Sequence, residues 1–404
     1  MPRWLPAAAR IAALLLGGLL SLGACDRKPA APPAPAEPAA SLAQVSFAAL
    51  DGWAADDHAA ALGTLLRSCE RLARRQPADP AGGGPWAGRV ADWLPACSEA
   101  TATPPDRARA FFEAAFQPYA LTDRGKAEGL FTGYYEPLLE GSATPDARFS
   151  VPVHRRPPDL VNVDLGLFDP ELKGRKVAGR VEAGRLLPYP ARAEIDRGAL
   201  DGRGVELLWV DDPVAKFFLE IQGSGQVRLR DGRVVRVGFA DQNGHPYRAI
   251  GRDLVEMGAL VKERVSLQAI RDWLKANPER APEVMAKNRS YVFFRELTDL
   301  GPDAPGPPGA QGAPLTPGRS LAVDRRFVPL GAPLWLETAA PARDGSERPL
   351  RRLVVAQDTG GAIRGPVRGD LFWGAGAEAE FVAGHMQGRG RYYILLPRPL
   401  APTT

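Results

Sequence analysis

Glycine and proline are the residues that most restrict the fold of this chain. It contains 43 Gly and 40 Pro among 404 residues. Proline lacks the backbone N–H that a helix interior needs, and both residues are frequent in turns. We therefore expect short elements joined by many turns, which excludes an all-helical bundle. Because 45% of the residues are hydrophobic and 24% are charged, the chain can bury a core, and wholesale disorder is also excluded.

The charge balance excludes a nucleic-acid-binding protein. Lys and Arg number 51 against 47 Asp and Glu, whereas a nucleic-acid footprint needs a concentrated basic face. Four scattered His and three Cys exclude a metal site built mainly from imidazole and thiolate. The sequence implies no cofactor and no metal.

The N-terminus has the pattern of an export signal, predicted over residues 1–24. Arg3 and Arg10 precede or flank an apolar stretch of 12 residues, Ile11 to Leu22, which is too short to span a bilayer because spanning takes about 20 residues. The stretch ends in Leu-Gly-Ala-Cys, which resembles the bacterial lipoprotein box and predicts acylation of Cys25. The alternative is a coincidental Cys after an ordinary signal.

The segment after Cys25 is rich in Pro and Ala, and we predict a lipid-anchored linker over residues 25–44. Its composition favours polyproline II, so it forms a spacer of roughly 45 Å at about 3.1 Å per residue. The body of the protein would then contact the membrane through its lipid anchor only.

The remaining cysteines, Cys69 and Cys97, form an even pair. Export to an oxidising compartment makes a disulfide between them the default expectation. Two buried free thiols are the alternative.

The spacing of apolar residues predicts a mainly β fold with peripheral helices. One helix is expected from Asp56 or Asp57 to Pro77 and another from Pro104 to Pro118. Asp231-Gly232 predicts a hairpin, and further helices are expected after Pro246, Ser266 and Pro278. Strands are expected at residues 130–135, 205–210, 216–222, 226–230, 233–237, 291–295, 320–324, 333–337, 352–357 and 391–396. This order predicts one β domain inserted into, or placed beside, a second one, with a ligand groove between them.

Three segments carry polar residues where a plain β pattern would not need them. Residues 131–137 (FTGYYEP) place Tyr134 and Tyr135 on opposite faces of a strand, which suits sugar stacking but is also common in ordinary packing. Residues 221–225 (IQGSG) allow a ligand close to the backbone, or form a plain turn. The third segment carries Asp358 and Asp370, twelve residues apart in a Gly-rich stretch.

Asp358 and Asp370 converge if that stretch folds back as a loop. Two carboxyl groups that share a buried site favour keeping one of them protonated near neutral pH, which suits acid–base catalysis. The alternative is that both cap turns. Asp358-Thr359-Gly360 also matches the aspartic protease triplet, but the chain has no second copy of it. A glycan hydrolase with two carboxylates stays open.

Several motifs occur together over residues 125–397: FTGYYEP, IQGSG, NGHPYRAIG (243–251), NRSYVFFRE (288–296), LTPGRSLAVDRRFVPLGAPLWLET (315–338) and AQDTGGAIRGPVRGD (356–370). With the lipoprotein box, this set resembles the membrane-bound lytic murein transglycosylase A family. The resemblance implies a double-psi β-barrel domain, formed by residues 45–136 and 246–400, with a three-aspartate region at about 290–397. It also implies an inserted smaller β domain at residues 137–245 and a groove between the two.

The resemblance further implies a reaction. The family cleaves the β-1,4 bond between N-acetylmuramic acid and N-acetylglucosamine without water and leaves a 1,6-anhydro ring. Asp370 would be the general acid and base and Asp358 would orient or tune it. Residues expected to bind substrate are Thr132, Tyr134, Tyr135, Gln222, Ser224 and Asp324, the last of which could instead only support the barrel.

Two other functions stay open at this point, a hydrolytic muramidase and a non-catalytic peptidoglycan-binding lipoprotein. The expected partners are glycan strands, and complexes with cell-wall enzymes stay open. The family resemblance places the chain in the periplasm, anchored in the outer membrane. Asp26, directly after Cys25, instead resembles an inner-membrane retention signal, so the choice of membrane stays open.

Overall fold

The structure, a computed structural model, describes residues 40–300 and 304–400. The predicted signal peptide, Cys25 and most of the predicted linker lie outside these residues. No helix within the described ranges is long and apolar enough to cross a membrane.

The helices lie in three groups along the chain, near its start, in its middle and before its last strand. They are α1 (His58–Leu72), α2 (Val90–Ala102), α3 (Ala108–Ala115), α4 (Arg192–Ile195), α5 (Pro213–Gln222), α6 (Ile250–Glu256), α7 (Leu267–Ala276), α8 (Ala281–Ala286) and α9 (Ala377–His385).

Within the described residues the strands form three sheets. In chain order they are β1 (Ala40–Gln44), β2 (Phe116–Asp123), β3 (Gly129–Glu136), β4 (Leu138–Ser142), β5 (Val151–His154), β6 (Val161–Asp164), β7 (Lys176–Glu182), β8 (Arg185–Pro188), β9 (Glu206–Val210), β10 (Ser224–Leu229), β11 (Val234–Gln242), β12 (Val292–Glu296), β13 (Ser320–Val323), β14 (Pro333–Pro341), β15 (Glu347–Asp358), β16 (Arg368–Ala375) and β17 (Gln387–Pro397).

The first sheet closes into a barrel. Its strands follow the order β17, β14, β15, β13, β16 and β3, and β3 pairs again with β17, so six strands complete the ring. Strands β2 and β1 extend this sheet from β17. The predicted mainly β fold with a β-barrel is confirmed.

The second sheet has the order β12-β11-β10-β4-β9-β5, and the third is the antiparallel set β6-β7-β8. Strand β3 of the barrel runs almost directly into β4 of the second sheet, with only Pro137 between them. The inserted β domain was expected to end at residue 245. Strand β12, which comes later in the chain than residue 245, nevertheless belongs to the second sheet because it pairs with β11.

The main core fills the barrel and extends beneath the first three helices. Its buried residues include Leu321, Trp335, Val355 and Leu371 from the barrel and Leu65 from α1. Asp57 begins α1 by accepting a hydrogen bond from Ala60 N at 3.1 Å, which agrees with the predicted start of this helix. Helices α1 and α2 are joined by a disulfide between Cys69 and Cys97.

The strand predicted at residues 216–222 is wrong, because these residues belong to helix α5. Asp212 caps the helix by accepting from Val214 N and Ala215 N, Pro213 occupies its first turn, and Gly223 ends it with φ 78°. Asp-Pro at the start and Gly at the end are helix boundary signals, and here they outweigh the apolar run.

Candidate active site

Four neighbouring strands bring polar residues into one row across the barrel sheet. Thr132 on β3 pairs with Asp370 on β16. Asp370 also pairs with Ala322 on β13, and Ala322 pairs with Asp358 at the end of β15. Across the sheet the order of residues is therefore Asp358, Ala322, Asp370 and Thr132, so that Ala322 lies between the two aspartates.

Strand alternation separates this row from the main core. Successive residues of a strand point to opposite faces. Phe131, Leu321 and Leu371, the neighbours of the row, belong to the main core, so Thr132, Ala322 and Asp370 face the other side. A small apolar cluster lies on that side and contains Tyr134, Leu315, Ala322, Ile363 and Phe372.

Asp370 is held by an oriented chain of hydrogen bonds. The Thr132 hydroxyl donates to Asp370 Oδ1 at 2.5 Å, and Arg368 Nη2 donates to the same hydroxyl at 2.9 Å. A guanidinium can only donate, so the single proton of Thr132 is directed to the carboxyl. Asp370 Oδ1 is thereby occupied, and Oδ2 is the oxygen left for other partners.

Burial raises the pKa of Asp370 to about 6, from an ordinary value of 3.8. The positive charge of Arg368 and the hydrogen bond from Thr132 lower this pKa, whereas the negative charge of Asp358 raises it. The loss of hydration is the largest of these effects and decides the direction. Asp370 can therefore exchange a proton near neutral pH.

Asp358 is held by three donors. Its Oδ1 accepts from Ala310 N at 2.8 Å and from Thr359 N at 2.9 Å, and its Oδ2 accepts from the Tyr134 hydroxyl at 2.9 Å. Burial raises the pKa of Asp358, and these hydrogen bonds oppose the rise. The three donors fix the position of a negative charge beside Asp370.

Tyr134 contacts the site through its hydroxyl group, and its side chain is only 8% exposed. Its ring packs against Phe372 with centroids 5.2 Å apart. Burial and the nearby charge of Asp358 raise its pKa well above the ordinary value, so the phenol stays protonated and acts as a donor. Tyr134 thus contacts the site through Asp358.

Tyr135 points away from this row. Its side chain is 2% exposed and its hydroxyl accepts from Arg271 Nη2 at 2.7 Å, on the face opposite to Tyr134. The backbone N–H of Tyr135 donates to Gln222 Oε1 at 3.1 Å. The structure therefore links Gln222 to β3 through the backbone of Tyr135.

Gln222 and Ser224 lie where α5 meets β10, on either side of Gly223. Gln222 is partly exposed, and Ser224 is buried. A Cβ at Gly225 would lie 2.4 Å from the Leu219 side chain and 3.0 Å from Pro137 O, so only glycine allows this turn to pack so closely on the end of β3. The IQGSG segment is thereby attached to the strand that carries Thr132.

Asp324 has a different environment from Asp358 and Asp370. It is 2% exposed, and its Oδ2 accepts from Arg326 Nη2 at 2.7 Å and from Gly365 N at 2.9 Å. Although burial raises its pKa, the contacts with Arg326 and Gly365 prevail and lower it. Asp324 fixes the loop between β15 and β16 that separates the other two aspartates in sequence.

Two residues of the site were not among those expected from the sequence. Arg368 lies two residues before Asp370 on the same strand, so its position on the same face was a usable signal. Tyr247, in the NGHPYRAIG segment, is 42% exposed; loss of hydration raises the pKa of its phenol, and the charge of Asp370 raises it further. No spacing rule connects Tyr247 to Asp370, which is 123 residues further along the chain.

Two family models match the chain. The MltA specific insert domain matches residues 130–295, and the 3D domain matches residues 319–396. The first match includes the strand of Thr132 and the helix of Gln222, and the second includes all three aspartates.

Named proteins show the same relationship. The membrane-bound lytic murein transglycosylase A of Vibrio cholerae is 35% identical over 271 residues, which cover 66% of this chain and 65% of that protein. The crystal structure of a membrane-bound lytic murein transglycosylase from Agrobacterium tumefaciens is 36% identical with a TM-score of 0.79, and the match covers 89% of this chain and 99% of that one.

A crystal structure of Escherichia coli MltA with bound chitohexaose is 26% identical, with a TM-score of 0.65, and the match covers 88% of this chain and 94% of that one. The chain belongs to the membrane-bound lytic murein transglycosylase A family.

Proposed function

We propose that the protein is a peptidoglycan lytic transglycosylase. In this proposal it cleaves the β-1,4 bond between N-acetylmuramic acid and N-acetylglucosamine and forms 1,6-anhydro-N-acetylmuramic acid. The observation that carries the proposal is Asp370, a carboxyl whose pKa is raised to about 6 and which is aimed by Thr132.

The first step needs a proton donor. At pH 7 a carboxyl with a pKa of about 6 carries its proton in about a tenth of the molecules, against about one in a thousand for an ordinary aspartate. Because Oδ1 accepts from Thr132, the proton of neutral Asp370 resides on Oδ2. From there it is transferred to the bridging oxygen, which leaves as the 4-hydroxyl of N-acetylglucosamine while the bond from C1 of muramic acid breaks.

The second step returns the proton. The C6 hydroxyl of the same muramic acid attacks C1, the new C1–O6 bond closes the anhydro ring, and the hydroxyl proton moves to Asp370 Oδ2. The carboxyl is then ready for another cycle. Since the attacking hydroxyl belongs to the substrate, it is already held near C1, and no second carboxylate has to activate water.

The environment of Asp358 supports this reaction over hydrolysis. A hydrolase that inverts configuration needs a second carboxylate free to take a proton from water. Asp358 instead accepts from Tyr134, Ala310 and Thr359, so its lone pairs are largely engaged. We assign it an electrostatic role: its negative charge raises the pKa of Asp370 and favours the positive charge that develops at C1.

Glycan binding is assigned to the segments around the row. The structure of the Escherichia coli relative contains chitohexaose, a β-1,4-linked oligosaccharide with the same backbone linkage. Gln222 at the end of α5 and Ser224 at the start of β10 are proposed to bind sugar. Thr132 is a positioning residue because its proton is directed to Asp370. Tyr247, which lies on the segment that follows β11, is partly exposed and available to a sugar ring.

The site of action is proposed from the leader and from the names of the relatives, which include the words membrane-bound. Acylated Cys25 would anchor the chain in the periplasm, at the outer membrane, and the linker would let the barrel reach the cell wall. Radiolabelled palmitate tests the anchor. Incorporation that Cys25→Ser abolishes supports it, and incorporation that survives the substitution refutes it.

The reaction is tested by digesting purified peptidoglycan and analysing the muropeptides by mass spectrometry. The transglycosylase gives anhydro products, which are lighter by one water than the reducing products of a muramidase. A digest that contains only reducing ends refutes the proposed reaction.

The variant Asp370→Asn distinguishes an enzyme from a non-catalytic lipoprotein. Asparagine keeps the size of the side chain and an oxygen acceptor for Thr132, but it cannot transfer the proton. We expect turnover to disappear while cosedimentation with peptidoglycan persists. Turnover that survives this change would remove Asp370 from its role. Absence of turnover in the unmodified protein would favour the non-catalytic function.

A further inference from the structure

A cavity of about 410 Å³ lies between the third sheet and the NGHPYRAIG segment. Residues 177–178 of β7 and residues 186–188 of β8 form its apolar wall, and residues 243–245 with Arg289 form its polar wall. Ligand sites commonly combine an apolar lining with a few polar groups in a volume of this order. The function proposed for the row of aspartates assigns nothing to this cavity.

The polar wall is held in place by Asn243, which is 1% exposed. Its Nδ2 donates to Pro190 O at 2.9 Å and to Arg289 O at 3.0 Å, and its Oδ1 accepts from Tyr291 N at 2.9 Å. This one side chain therefore joins three separate segments of the chain around the cavity. A wall that is fixed before a ligand arrives reduces the ordering cost of binding.

Two side chains of this wall have polar atoms left for a ligand. Arg289 is exposed, and among residues 40–300 and 304–400 its guanidinium has no ion-pair or hydrogen-bond partner. His245 Nε2 lies 2.7 Å from Tyr189 O. Because a carbonyl oxygen can only accept, Nε2 carries the proton of a neutral ring and Nδ1 is an acceptor. The cavity thus offers a cation and an acceptor beside its apolar wall.

Acidic side chains do not offset the charge of Arg289 at this cavity. Among the described residues that line it, none is acidic. Asp241, the acidic residue nearest to the lining in sequence, accepts from Arg156 Nε at 2.7 Å and from Asn162 Nδ2 at 2.7 Å. The charge distribution therefore favours a ligand with a carboxylate, which a guanidinium can bind through two parallel hydrogen bonds.

The polar wall continues towards the aspartates. Tyr247 follows His245 by two residues and is 42% exposed, and the charge of Asp370 acts on its phenol. The Cα atoms of two residues so close in sequence are at most about 7 Å apart. Residues 243–247 therefore connect the cavity to the surroundings of Asp370.

We propose that this cavity binds the peptide stem that N-acetylmuramic acid carries, with Arg289 on a stem carboxylate. The stem combines free carboxylates, amide N–H groups and small apolar side chains such as those of alanine, which match the cation, the acceptor and the apolar wall. Four extended residues cover about 13 Å, enough to reach from a sugar ring near Tyr247 into the cavity. The proposal rests on the proposed function, because it takes peptidoglycan as the substrate.

The kinetic test compares two substrates prepared from the same peptidoglycan. One keeps its tetrapeptide stems, and an amidase has removed them from the other, which leaves only the lactyl carboxylate of muramic acid. We expect the parent to show the higher kcat/KM on strands with stems. Arg289→Gln should lower the ratio of the two kcat/KM values by about tenfold, and Leu186→Ser should lower it by about threefold. A parental ratio of one or less, or a ratio that Arg289→Gln leaves unchanged, overturns the proposal.

The matched control is Arg295→Gln. Arg295 on β12 is also exposed and also without an ion pair within the described part of the chain, but it does not line the cavity. Its variant should keep the parental ratio. An equal fall of the ratio in Arg289→Gln and Arg295→Gln would mean that loss of any exposed charge has this effect, and the stem site would be wrong.

Binding of the free tetrapeptide separates the stem site from the reaction. Saturation-transfer NMR detects weak binding and does not depend on turnover. We expect a signal with the parent that Arg289→Gln strongly reduces, and absence of a signal with the parent overturns the site. A digest with only reducing ends would refute the proposed reaction and leave this binding intact. Anhydro products together with a tetrapeptide that does not bind would refute the stem site alone.

Discussion

At the scale of single residues, the proton affinity of Asp370 results from opposing effects. Loss of hydration and the charge of Asp358 raise its pKa, while Arg368 and Thr132 lower it. Thr132 bonds the charged form, and Arg368 directs the hydroxyl that makes this bond. The site therefore combines a carboxyl that is hard to ionise with a donor that limits how far its pKa rises.

Thr132→Val is predicted to raise the pKa of Asp370 further, because the charged form loses its donor. If neutral Asp370 is the general acid, kcat/KM falls as pH rises through this pKa. The descending limb should therefore move to higher pH, by about one unit if the bond is a typical charge-assisted one. Thr122→Val on β2, which removes only a contact with Ser41, should leave the pH profile unchanged. A limb that stays in place would show that Thr132 does not tune Asp370.

Asp370 is also predicted to reduce stability at high pH. A carboxyl whose folded pKa exceeds its unfolded pKa favours folding fully at low pH, and this contribution is lost as pH rises through the folded value of about 6. Asp370→Asn should therefore raise the free energy of unfolding at pH 8 by about 2 kcal/mol, after a reduction for partial exposure. The gain should shrink towards pH 4. Urea unfolding at both pH values measures it, and an equal effect at both would contradict the account.

Asp324→Asn should have the opposite sign at neutral pH. The pKa of Asp324 is lowered, so its contribution is present above the unfolded pKa and is lost as pH falls through the folded one. Removing the charge weakens the contacts with Arg326 and Gly365, at a cost of about 1 to 3 kcal/mol, since the guanidinium that stays behind is largely exposed. Urea unfolding at pH 7 measures the loss, and a stabilised Asp324→Asn would contradict the structural role of this carboxyl.

At the scale of elements, β3 is the strand that contacts both the two carboxylates and the IQGSG segment. One face of it carries Thr132 and Tyr134 to the carboxylates, and the backbone of the next residue holds Gln222. Gly133, between Thr132 and Tyr134, lets the strand lie close to α9 and β16. A Cβ at this position would lie 2.9 Å from Ala383 Cα and 2.7 Å from the Trp373 ring.

Gly133→Ala is predicted to shift β3 or α9 and so destabilise the protein by about 1 to 3 kcal/mol. Because Thr132 and Tyr134 flank it, activity should fall as well. Gly361→Ala is the control, since nothing lies within 4 Å of its added Cβ. Thermal unfolding and turnover of both variants measure the effects. A Gly133→Ala protein with parental stability and activity would contradict the close packing.

Local signals predicted some elements well and others poorly. Asp231-Gly232 predicted the hairpin of β10 and β11, and Ser266 predicted the start of α7, because each signal acts over a few residues. Helix α5 was missed because its dense apolar run suits a buried strand as well as a helix. Apart from Thr359 N, which directly follows Asp358, the hydrogen-bond partners of Asp358 and Asp370 come from β3 and from residue 310. The pairing of β3 with β16 and the packing of residue 310 against the end of β15 bring these partners in, and no local pattern encodes either contact.

At the scale of the whole molecule, the first helices support the strand that ends in Asp358. Gln357, directly before Asp358, is fully buried and donates to Thr64 O at 3.0 Å and to Ser68 Oγ at 2.8 Å, both on α1. The disulfide joins α1 to α2 next to these contacts. A helical layer fixed by a covalent bond therefore holds the end of β15 in place.

Loss of the disulfide is predicted to reduce stability more than catalysis. The bond closes 28 residues, and its removal costs about 3 to 4 kcal/mol on the chain-entropy account. Cys69→Ser with Cys97→Ser should lower the unfolding midpoint strongly and leave most activity at low temperature. Calorimetry with turnover assays checks both parts. An unchanged midpoint would show that the bond does not stabilise this layer.

The most direct test of the central claim is to titrate Asp370 itself and compare it with the kinetics. Carbon-13 NMR of the aspartate carboxyl groups, assigned with Asp370→Asn, gives its pKa, and kcat/KM on purified glycan strands gives the descending limb. We predict that both lie at about 6 and that Asp358→Asn moves both to lower pH, because it removes a negative charge. A carboxyl that titrates near its ordinary value of 3.8, or a limb that does not follow it, would contradict the assignment of Asp370 as the proton carrier.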